Sequence, residues 1–271
     1  MKSIPEILGI CALAAFFAGC EKEPEPEPGP VITDPNFLSA LIENGVDTNG
    51  DNQISPQEAA SVDFLDVSYS SISDMHGIEL FVNLGNLGCS YNQLTSLDLS
   101  GNTSLEQLEC TGNQLTSLDV SGNVSLSDLE CHRNQLTHLD VSPNSQLSYL
   151  QCSSNQLTGL DVTNNPRLSI LQCENNQITS LDVSRIYPLK SLYCQENELT
   201  SLDVSQNTSL ELLHCGDNQL TGLEVSDYPT LKWLYCNNNP VASLDVSDLP
   251  DLATLHCAGV QLTVLDISNN S

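Results

Sequence analysis

Apolar and polar residues alternate along most of the chain in a pattern that returns every 21 residues. The unit that begins at Leu105 contains two alternating stretches, one around Leu108 and one around Leu118. Alternation with a period of two predicts extended segments with one buried side. A short unit of constant length cannot bury that side alone, so successive units must stack and share a core. The pattern therefore predicts a solenoid, and each unit is called a rung below.

The two halves of a rung have different predicted roles. In the first half, Leu108 and Cys110 alternate with Gln107, Glu109 and Thr111, which predicts a short strand with leucine and cysteine facing inward. Strands of successive rungs then form a parallel sheet. The second half alternates again, and a rung of 21 residues with this pattern has no room for a full helix, so the opposite wall is expected to be extended.

The first half of the rung, L-x-x-L-x-C-x-x-N-x-L, resembles the leucine-rich-repeat signature, with cysteine in the third leucine place. The resemblance covers residues 62–271, about ten repeats, and the irregular opening rung is similar to that of the internalin class. It implies a β-rich leucine-rich-repeat solenoid. Such a fold has a curved parallel β-sheet on the concave face, a mostly extended convex side and a short helical N-terminal segment.

One cysteine occupies the same place in each of nine rungs. The simplest interpretation is a file of small buried hydrophobic residues; disulfides, metal binding and redox chemistry are the alternatives. Neighbouring strands hold side chains about 4.8 Å apart, whereas bridged β-carbons lie about 3.8 Å apart, and a single file offers no convergent metal ligands. The file consists of Cys89, Cys110, Cys131, Cys152, Cys173, Cys194, Cys215, Cys236 and Cys257.

Two polar files accompany the cysteines. An asparagine follows most cysteines by three residues, from Asn92 to Asn239, and is expected to bond backbone groups of its own and the neighbouring rung. An acidic residue stands in the second half of each rung, from Asp98 to Asp266, and faces outward. Its like charges need compensation, either by hydrogen bonds from the adjoining Ser and Thr or by a loose ladder of divalent cations.

The residues before the rungs divide into three segments. Residues 1–20 resemble a bacterial lipoprotein signal that ends in the lipobox Phe17-Ala18-Gly19-Cys20, with Cys20 as the acylated residue; a plain secretory signal is the alternative. Residues 21–33 form an acidic, proline-rich linker. Its start resembles the export tag of Bacteroides-type surface lipoproteins. The resemblance implies an outer-membrane lipoprotein at the cell surface, in contact with the membrane only through its lipid.

Residues 34–61 are expected to form an EF-hand-like helix-loop-helix. Residues 47–58 resemble the twelve-residue calcium loop of EF-hands, with Asn52 where glycine is usual. The alternative is a polar turn followed by a metal-free capping box between Ser55 and Glu58. The resemblance implies weakly bound Ca²⁺, held by Asp47, Asn49, Asp51, the Gln53 carbonyl, Ser55 and Glu58.

The charge restricts the class of partner. Acidic residues outnumber basic ones 35 to 7, and the formal charge of −28 argues against nucleic acid and anionic membrane surfaces. No isolated constellation of Ser, His and acid appears, and the cysteines face the core, where a thiolate is disfavoured. We therefore expect a protein that is not an enzyme.

Function is expected on the outward residues of the strands, because these vary while the scaffold repeats. In the later rungs they include the sole tryptophan and three of seven tyrosines. Outward aromatics on a rigid sheet predict a binding site for a protein ligand or for a host or bacterial glycan. The alternative is that the aromatics only stabilise a passive spacer by cross-strand contacts. The predicted patch consists of Tyr149, Ile170, Tyr193, Leu212, His214, Trp233, Tyr235 and His256.

Overall fold

The computed structural model describes residues 31–225, 228–268 and 270. Ten short parallel strands follow one another in chain order within one sheet, which confirms the predicted solenoid. The lipobox with Cys20 lies outside the described residues. The strands are β1 (Phe64–Asp66), β2 (Asn86–Gly88), β3 (Gln107–Glu109), β4 (Asp128–Glu130), β5 (Tyr149–Gln151), β6 (Ile170–Gln172), β7 (Ser191–Tyr193), β8 (Leu212–His214), β9 (Trp233–Tyr235) and β10 (Thr254–His256).

The helices of the described chain lie near its N-terminal end. Helix α1 (Pro35–Glu43) is capped by Asp34, whose carboxylate accepts from the N–H groups of Asn36 and Phe37 at 2.8 and 3.1 Å. A single turn, α2 (Pro56–Ala59), and a 3₁₀ turn at Ile78–Leu80 follow. Asp34 also accepts from the backbone and hydroxyl of Ser73, so the first helix is fastened to the opening rung.

Identical positions of successive rungs stack in columns. Leu108 pairs with Leu87 on one side and with Leu129 on the other, and all three are buried. In the second half of that rung, Leu118 and Val120 are buried as well, although no helix or strand is assigned there. The period of the sequence therefore fixes both the register of the sheet and the continuity of the core.

The cysteine column contains free thiols. Eight are buried and the last, Cys257, is partly exposed. Burial raises the pKa of the Cys110 thiol to about 12, and burial followed by the proximity of Cys110 raises the pKa of Cys131 well above its usual value. Each cysteine thus serves as a small apolar residue of the core.

The predicted asparagine file forms a hydrogen-bonded ladder. The amide of Asn155 donates to the carbonyls of Cys131 and Cys152 at 3.1 and 3.0 Å, and its oxygen accepts from the Leu136 N–H at 2.9 Å. Each amide therefore joins two neighbouring rungs, as expected. The bonds repeat from Asn92 to Asn239, and we call this file the cysteine-side ladder.

A second asparagine file was not predicted. Asn165 donates to the carbonyls of Val141 and Asn144, both at 2.9 Å, on the opposite side of the core. Its own Oδ1 is buried and has no hydrogen-bond partner, unlike Oδ1 of Asn155. We call this file the far-side ladder. It contains Asn102, Asn123, Asn144, Asn165, Asn207 and Asn270, while Ile186, Tyr228 and Leu249 occupy the remaining places.

Each rung turns away from the sheet at a residue with left-handed backbone, two positions after the cysteine. Arg133 and Glu196 adopt φ of 54° and 55° there, conformations that favour glycine and asparagine. At Gly112, with φ 67°, a β-carbon would lie 2.6 Å from the Tyr91 ring. Arg133 and Glu196 do not favour a left-handed backbone by themselves, so the stacking of neighbouring rungs imposes the turn at these positions.

Candidate binding face of the sheet

One file of the predicted patch forms a continuous row of rings. Tyr193, His214, Tyr235 and His256 lie in direct register on β7 to β10. Their ring centroids are separated by 6.4, 4.9 and 4.8 Å along the row. These are ordinary distances for aromatic pairs, so the four side chains, here called the aromatic ladder, support one another.

The second file of the patch is interrupted once. Tyr149 pairs with Ile170, and Leu212 pairs with Trp233, while Ser191 separates the two pairs. Trp233 is 38% exposed, whereas the other apolar members of the file are half-buried by their neighbours. The structure thus brings the eight predicted residues together on one face, across β5 to β10.

An ion pair that was not predicted from the sequence lies beside the patch. Lys232 Nζ lies 2.8 Å from Glu211 Oε2 and 5.9 Å from the centroid of the Trp233 ring. The two charged residues are 21 positions apart, so the register of the rungs could have identified the pair. Lys232 shows that a cation can be held on this face between a carboxylate and an aromatic ring.

A row of polar residues follows the aromatic ladder and was also missed. We call Glu174, Gln195, Glu196 and Asp217 the polar shoulder. Glu174 Oε2 and Gln195 Oε1 are buried and have no hydrogen-bond partner. Burial and the charge of Glu196 raise the pKa of Glu174, although hydrogen bonds from its own backbone and from Ser153 oppose the shift.

Two further pKa shifts place the shoulder beside the patch. Burial lowers the pKa of His214, and the negative charges of Asp217 and Glu196 act in the opposite direction. Burial, followed by the charges of Glu130 and Glu174, raises the pKa of Tyr149 to about 12. The carboxylates are therefore close enough to act on the ladder and on the second file.

The face is also acidic on β3 and β4. Glu109 is paired across the sheet with Glu130, and Gln107 with Asp128. Burial raises the pKa of Glu130, and the neighbouring charges of Glu109 and Asp128 raise it further. Like charges thus lie side by side on this part of the sheet.

The predicted calcium loop has the expected backbone and a closed hydrogen-bond network. Asn52 has φ 60°, the left-handed conformation expected at this position. Glu58 accepts from Thr48 through Oε1 and from Ser55 through Oε2, so the capping box of the alternative interpretation is formed. Hydrogen bonds, first from the Ser55 backbone, lower the pKa of Glu58 to about 2.

The other side chains predicted as ligands are also hydrogen-bonded within the loop. Asp47, Asn49 and Asp51 accept from N–H groups of the loop itself. Across the described residues, no group of three His, Cys, Asp or Glu side chains could hold a metal ion. The donor set still consists of the hard oxygen ligands that Ca²⁺ prefers. Calcium binding therefore stays a prediction.

The outward acidic file is compensated locally. Asp161 accepts from the backbone and hydroxyl of Thr163 at 2.9 and 2.7 Å. These hydrogen bonds, the hydroxyl first, lower the pKa of Asp161. Asp119 and Asp182 accept the same bond, in each case from the backbone N–H of the residue two positions later. This geometry confirms the first of the two expectations for the file.

Comparison with solved structures identifies the architecture. The functional domain of internalin J from Listeria monocytogenes, which includes a cysteine ladder, superposes with a TM-score of 0.73 at 39% identity. The match covers 88% of this chain and 57% of that one. The chain has an internalin-like leucine-rich-repeat fold. Its cysteine column corresponds in kind to the ladder of that domain.

Other comparisons agree with the internalin-like fold. A leucine-rich-repeat protein of Leptospira interrogans superposes with a TM-score of 0.65 at 27% identity, covering 73% of this chain and 53% of that chain. Internalin C2 of Listeria monocytogenes, at 22% identity and a TM-score of 0.65, covers 85% and 93% of the two chains and shows the fold alone.

The sequence match to a curated protein is local. Internalin J of Listeria monocytogenes serotype 4b is 41% identical over 70 residues, which is 26% of this chain and 8% of that protein. The internalin-like chain therefore spans a small part of this relative. No protein-family model matches the sequence. In the described part of the chain, no helix has the length and apolar character needed to cross a membrane.

Proposed function

We propose that this protein is a surface-anchored binding protein that recognises a protein partner through the patch on its sheet. The observation that carries the proposal is the aromatic ladder, four rings in register on the open face of a rigid sheet. Rigid aromatic side chains offer large contact area at low entropic cost. Solenoids of this kind use extended sheet surfaces for binding.

Glycan binding is the second candidate. Trp233 is exposed on the same face, and a sugar ring can stack on an exposed indole. The third candidate is a passive spacer, in which the ladder only stabilises the sheet. Catalysis by a cysteine nucleophile is disfavoured, because burial raises the pKa of thiols in the cysteine column, for example that of Cys236 to about 12.

We further propose that the protein is anchored at the cell surface as an outer-membrane lipoprotein. The support is the sequence Phe17-Ala18-Gly19-Cys20, which resembles a lipobox, followed by an acidic linker. Cys20 is the proposed site of acylation. The membrane would then be contacted through the lipid, and the solenoid would be presented beyond it.

We also propose that residues 47–58 bind Ca²⁺. Asp47, Asn49, Asp51, Ser55 and Glu58 supply side-chain oxygens, and Gln53 supplies its carbonyl. The support is the agreement of these positions with an EF-hand loop and the left-handed backbone of Asn52. The bound ion would supply structural stability at the entry to the solenoid.

The patch is tested by a double variant with a matched control. Trp233→Ala with Tyr235→Ala removes two adjacent rings of the face, and Tyr187→Ala with Val124→Ala removes exposed side chains away from the strands. We expect the first variant to weaken capture at least about ten-fold, the size of a hot-spot loss, and the second to leave it unchanged. The measurement is a pull-down from candidate surface proteins in parallel with a glycan array.

The two readouts separate the candidates. Selective loss in the pull-down supports protein recognition, and selective loss on the array supports the glycan candidate. Equal capture by wild type and both variants would leave only the spacer. Melting curves of the variants confirm that the solenoid is intact in each case.

A further inference from the structure

The negative charge of the sheet face has almost no compensation within the described residues. The ion pairs found there are Lys232 with Glu211 and His76 with Glu79, while the chain as a whole carries 35 acidic and 7 basic residues. The Glu109, Asp128 and Glu130 carboxylates lie side by side on β3 and β4. Such an arrangement attracts cationic groups from outside the molecule.

Two oxygen atoms beside the aromatic ladder lack a hydrogen-bond donor, although the Glu174 carboxylate as a whole also accepts from Ser153. Glu174 Oε2 and Gln195 Oε1 occupy the same position in neighbouring rungs, and both atoms are buried without a hydrogen-bond partner. A buried acceptor without a donor costs about 1–3 kcal/mol. Because these two atoms are enclosed, a partner reaches the shoulder through the exposed side chains of Glu196 and Asp217. Lys and Arg side chains carry several N–H donors each for such carboxylates.

The face already holds one cation in the way that such a partner would require. Lys232 is bonded to Glu211 at 2.8 Å and lies 5.9 Å from the Trp233 ring centroid. The ladder and the shoulder offer the same combination of rings and carboxylates, since Glu196 and Asp217 act electrostatically on His214. A cation near aromatic rings and carboxylates gains from both.

We propose that the partner recognised by the sheet face is a protein segment rich in lysine and arginine. Its cationic side chains lie against the aromatic ladder and bond to the exposed carboxylates of the polar shoulder, Glu196 and Asp217. The inference rests on the proposed function and adds the chemical class of the partner. It also excludes acidic proteins and anionic glycans, which the face would repel.

The direct test uses a labelled oligolysine peptide, with an oligoglutamate peptide as the probe of opposite charge. The face variant carries Glu130→Gln, Glu174→Gln and Glu196→Gln. The matched control carries Asp119→Asn, Asp161→Asn and Asp182→Asn on the outward acidic file, where asparagine keeps the oxygen that accepts from the turn. Each variant removes three carboxylates from the same formal charge of −28.

Fluorescence anisotropy gives the dissociation constants. We expect oligolysine to bind the wild type, the face variant to bind it about ten-fold more weakly, and the control to change by less than about two-fold. Binding should weaken as ionic strength rises from about 0.01 to about 0.15 M, because screening shortens the range of the charges. Equal weakening of the two variants, or no binding to oligolysine, would overturn the proposal.

The two assays distinguish a failure of this inference from a failure of the proposed function. A partner whose capture needs Trp233 and Tyr235, but which binds the face variant as well as the wild type, upholds protein recognition and overturns the cationic partner. Oligolysine binding that depends on the face carboxylates, with no capture that depends on the rings, overturns the proposed function instead. If the face variant and the ring variant both lose oligolysine binding and partner capture, while the control variants keep them, the proposed function and the cationic partner are both supported.

Discussion

At the scale of single residues, the cysteine column shows how a reactive side chain becomes inert. Cys152 has no exposed surface, and burial raises its pKa well above the usual value, with the neighbouring Cys131 adding to the shift. A thiol reacts as the thiolate, so the raised pKa lowers the fraction of reactive thiolate. Burial also keeps reagents away from the sulfur. The only departure in the column is Cys257, which is partly exposed in the last rung.

This contrast predicts the pattern of alkylation. In native protein at neutral pH, iodoacetamide should modify Cys257 and leave the other eight cysteines of the column unmodified, because they are buried. Peptide mapping by mass spectrometry gives the modified fraction at each position. The control is the same reaction in denaturant, where all nine should react. Rapid modification of Cys152 in the folded protein would contradict the buried column.

At the scale of the repeated element, the two asparagine ladders differ in which backbone groups would lose a hydrogen-bond partner without the asparagine. In the cysteine-side ladder, Asn155 Oδ1 is the acceptor for the buried Leu136 N–H. The Cys131 and Cys152 carbonyls accept from Asn155 and also from the adjacent asparagines of the ladder, Asn134 and Asn176. In the far-side ladder, the carbonyls that Asn165 contacts also accept from backbone N–H groups. Removal of the amide should therefore be more costly in the first ladder.

The same substitution in one rung tests this difference. Asn155→Leu should lower the free energy of unfolding by about 2–3 kcal/mol, because the Leu136 N–H is left buried without an acceptor. Asn165→Leu should lower it by less than about 1.5 kcal/mol, because its carbonyl partners keep their backbone bonds. Leu249 already occupies the equivalent place in the rung before the last. Urea unfolding of both variants gives the comparison, and equal losses would disprove it.

Periodic features of the element were predictable and aperiodic ones were not. The 21-residue spacing of Leu108 and its equivalents determined the strands and their register, because every stacked position repeats. The far-side ladder was missed because Ile186 and Leu249 interrupt its sequence signal. The left-handed turn was missed because residues as different as Arg133 and Glu196 occupy it.

The candidate site was predictable to the extent that it follows the register. The period placed Tyr193 and His214 in one file, and their pairing on β7 and β8 agrees. The polar shoulder was missed because it lies just beyond the strands, where burial and unpaired atoms of Glu174 and Gln195 depend on packing. Likewise, the sequence left two interpretations of Glu58 open, and its capping bonds became visible only in three dimensions.

At the scale of the whole molecule, the N-terminal segment closes one end of the solenoid. Phe37, Leu41 and Ala59 are buried in the same cluster as the core of the rungs. Asp34 accepts hydrogen bonds from Ser73 and Asp74 and so joins the segment to the opening rung. Burial alone would raise the pKa of Asp34, but the hydrogen bonds from Ser73, Phe37 and Asp74 outweigh it and lower the pKa to about 2. Because this folded-state pKa lies below the usual value, the carboxylate stabilises the fold above about pH 4, and this stabilisation is lost as the pH falls towards 2.

The proposed calcium site belongs to this closing segment and should act on the stability of the whole fold. A site with a dissociation constant of about 10⁻⁴ to 10⁻³ M, at millimolar calcium, adds about 1 kcal/mol to the native state. For a protein of this size the melting temperature should rise by about 2–4 °C. Differential scanning calorimetry with calcium, magnesium or chelator measures the shift.

The matched variant separates a bound ion from a general effect of charge. Asp47→Asn with Asp51→Asn keeps side-chain oxygens that can accept from Gly50 and Gln53, but it removes two charges that would hold the ion. Asp119→Asn with Asp161→Asn removes the same charge from the outward acidic file, far along the chain. Calcium should stabilise the wild type and the second variant, but not the first. If calcium leaves the wild-type melting temperature unchanged, the capping box of Ser55 and Glu58 is sufficient to organise the loop without metal.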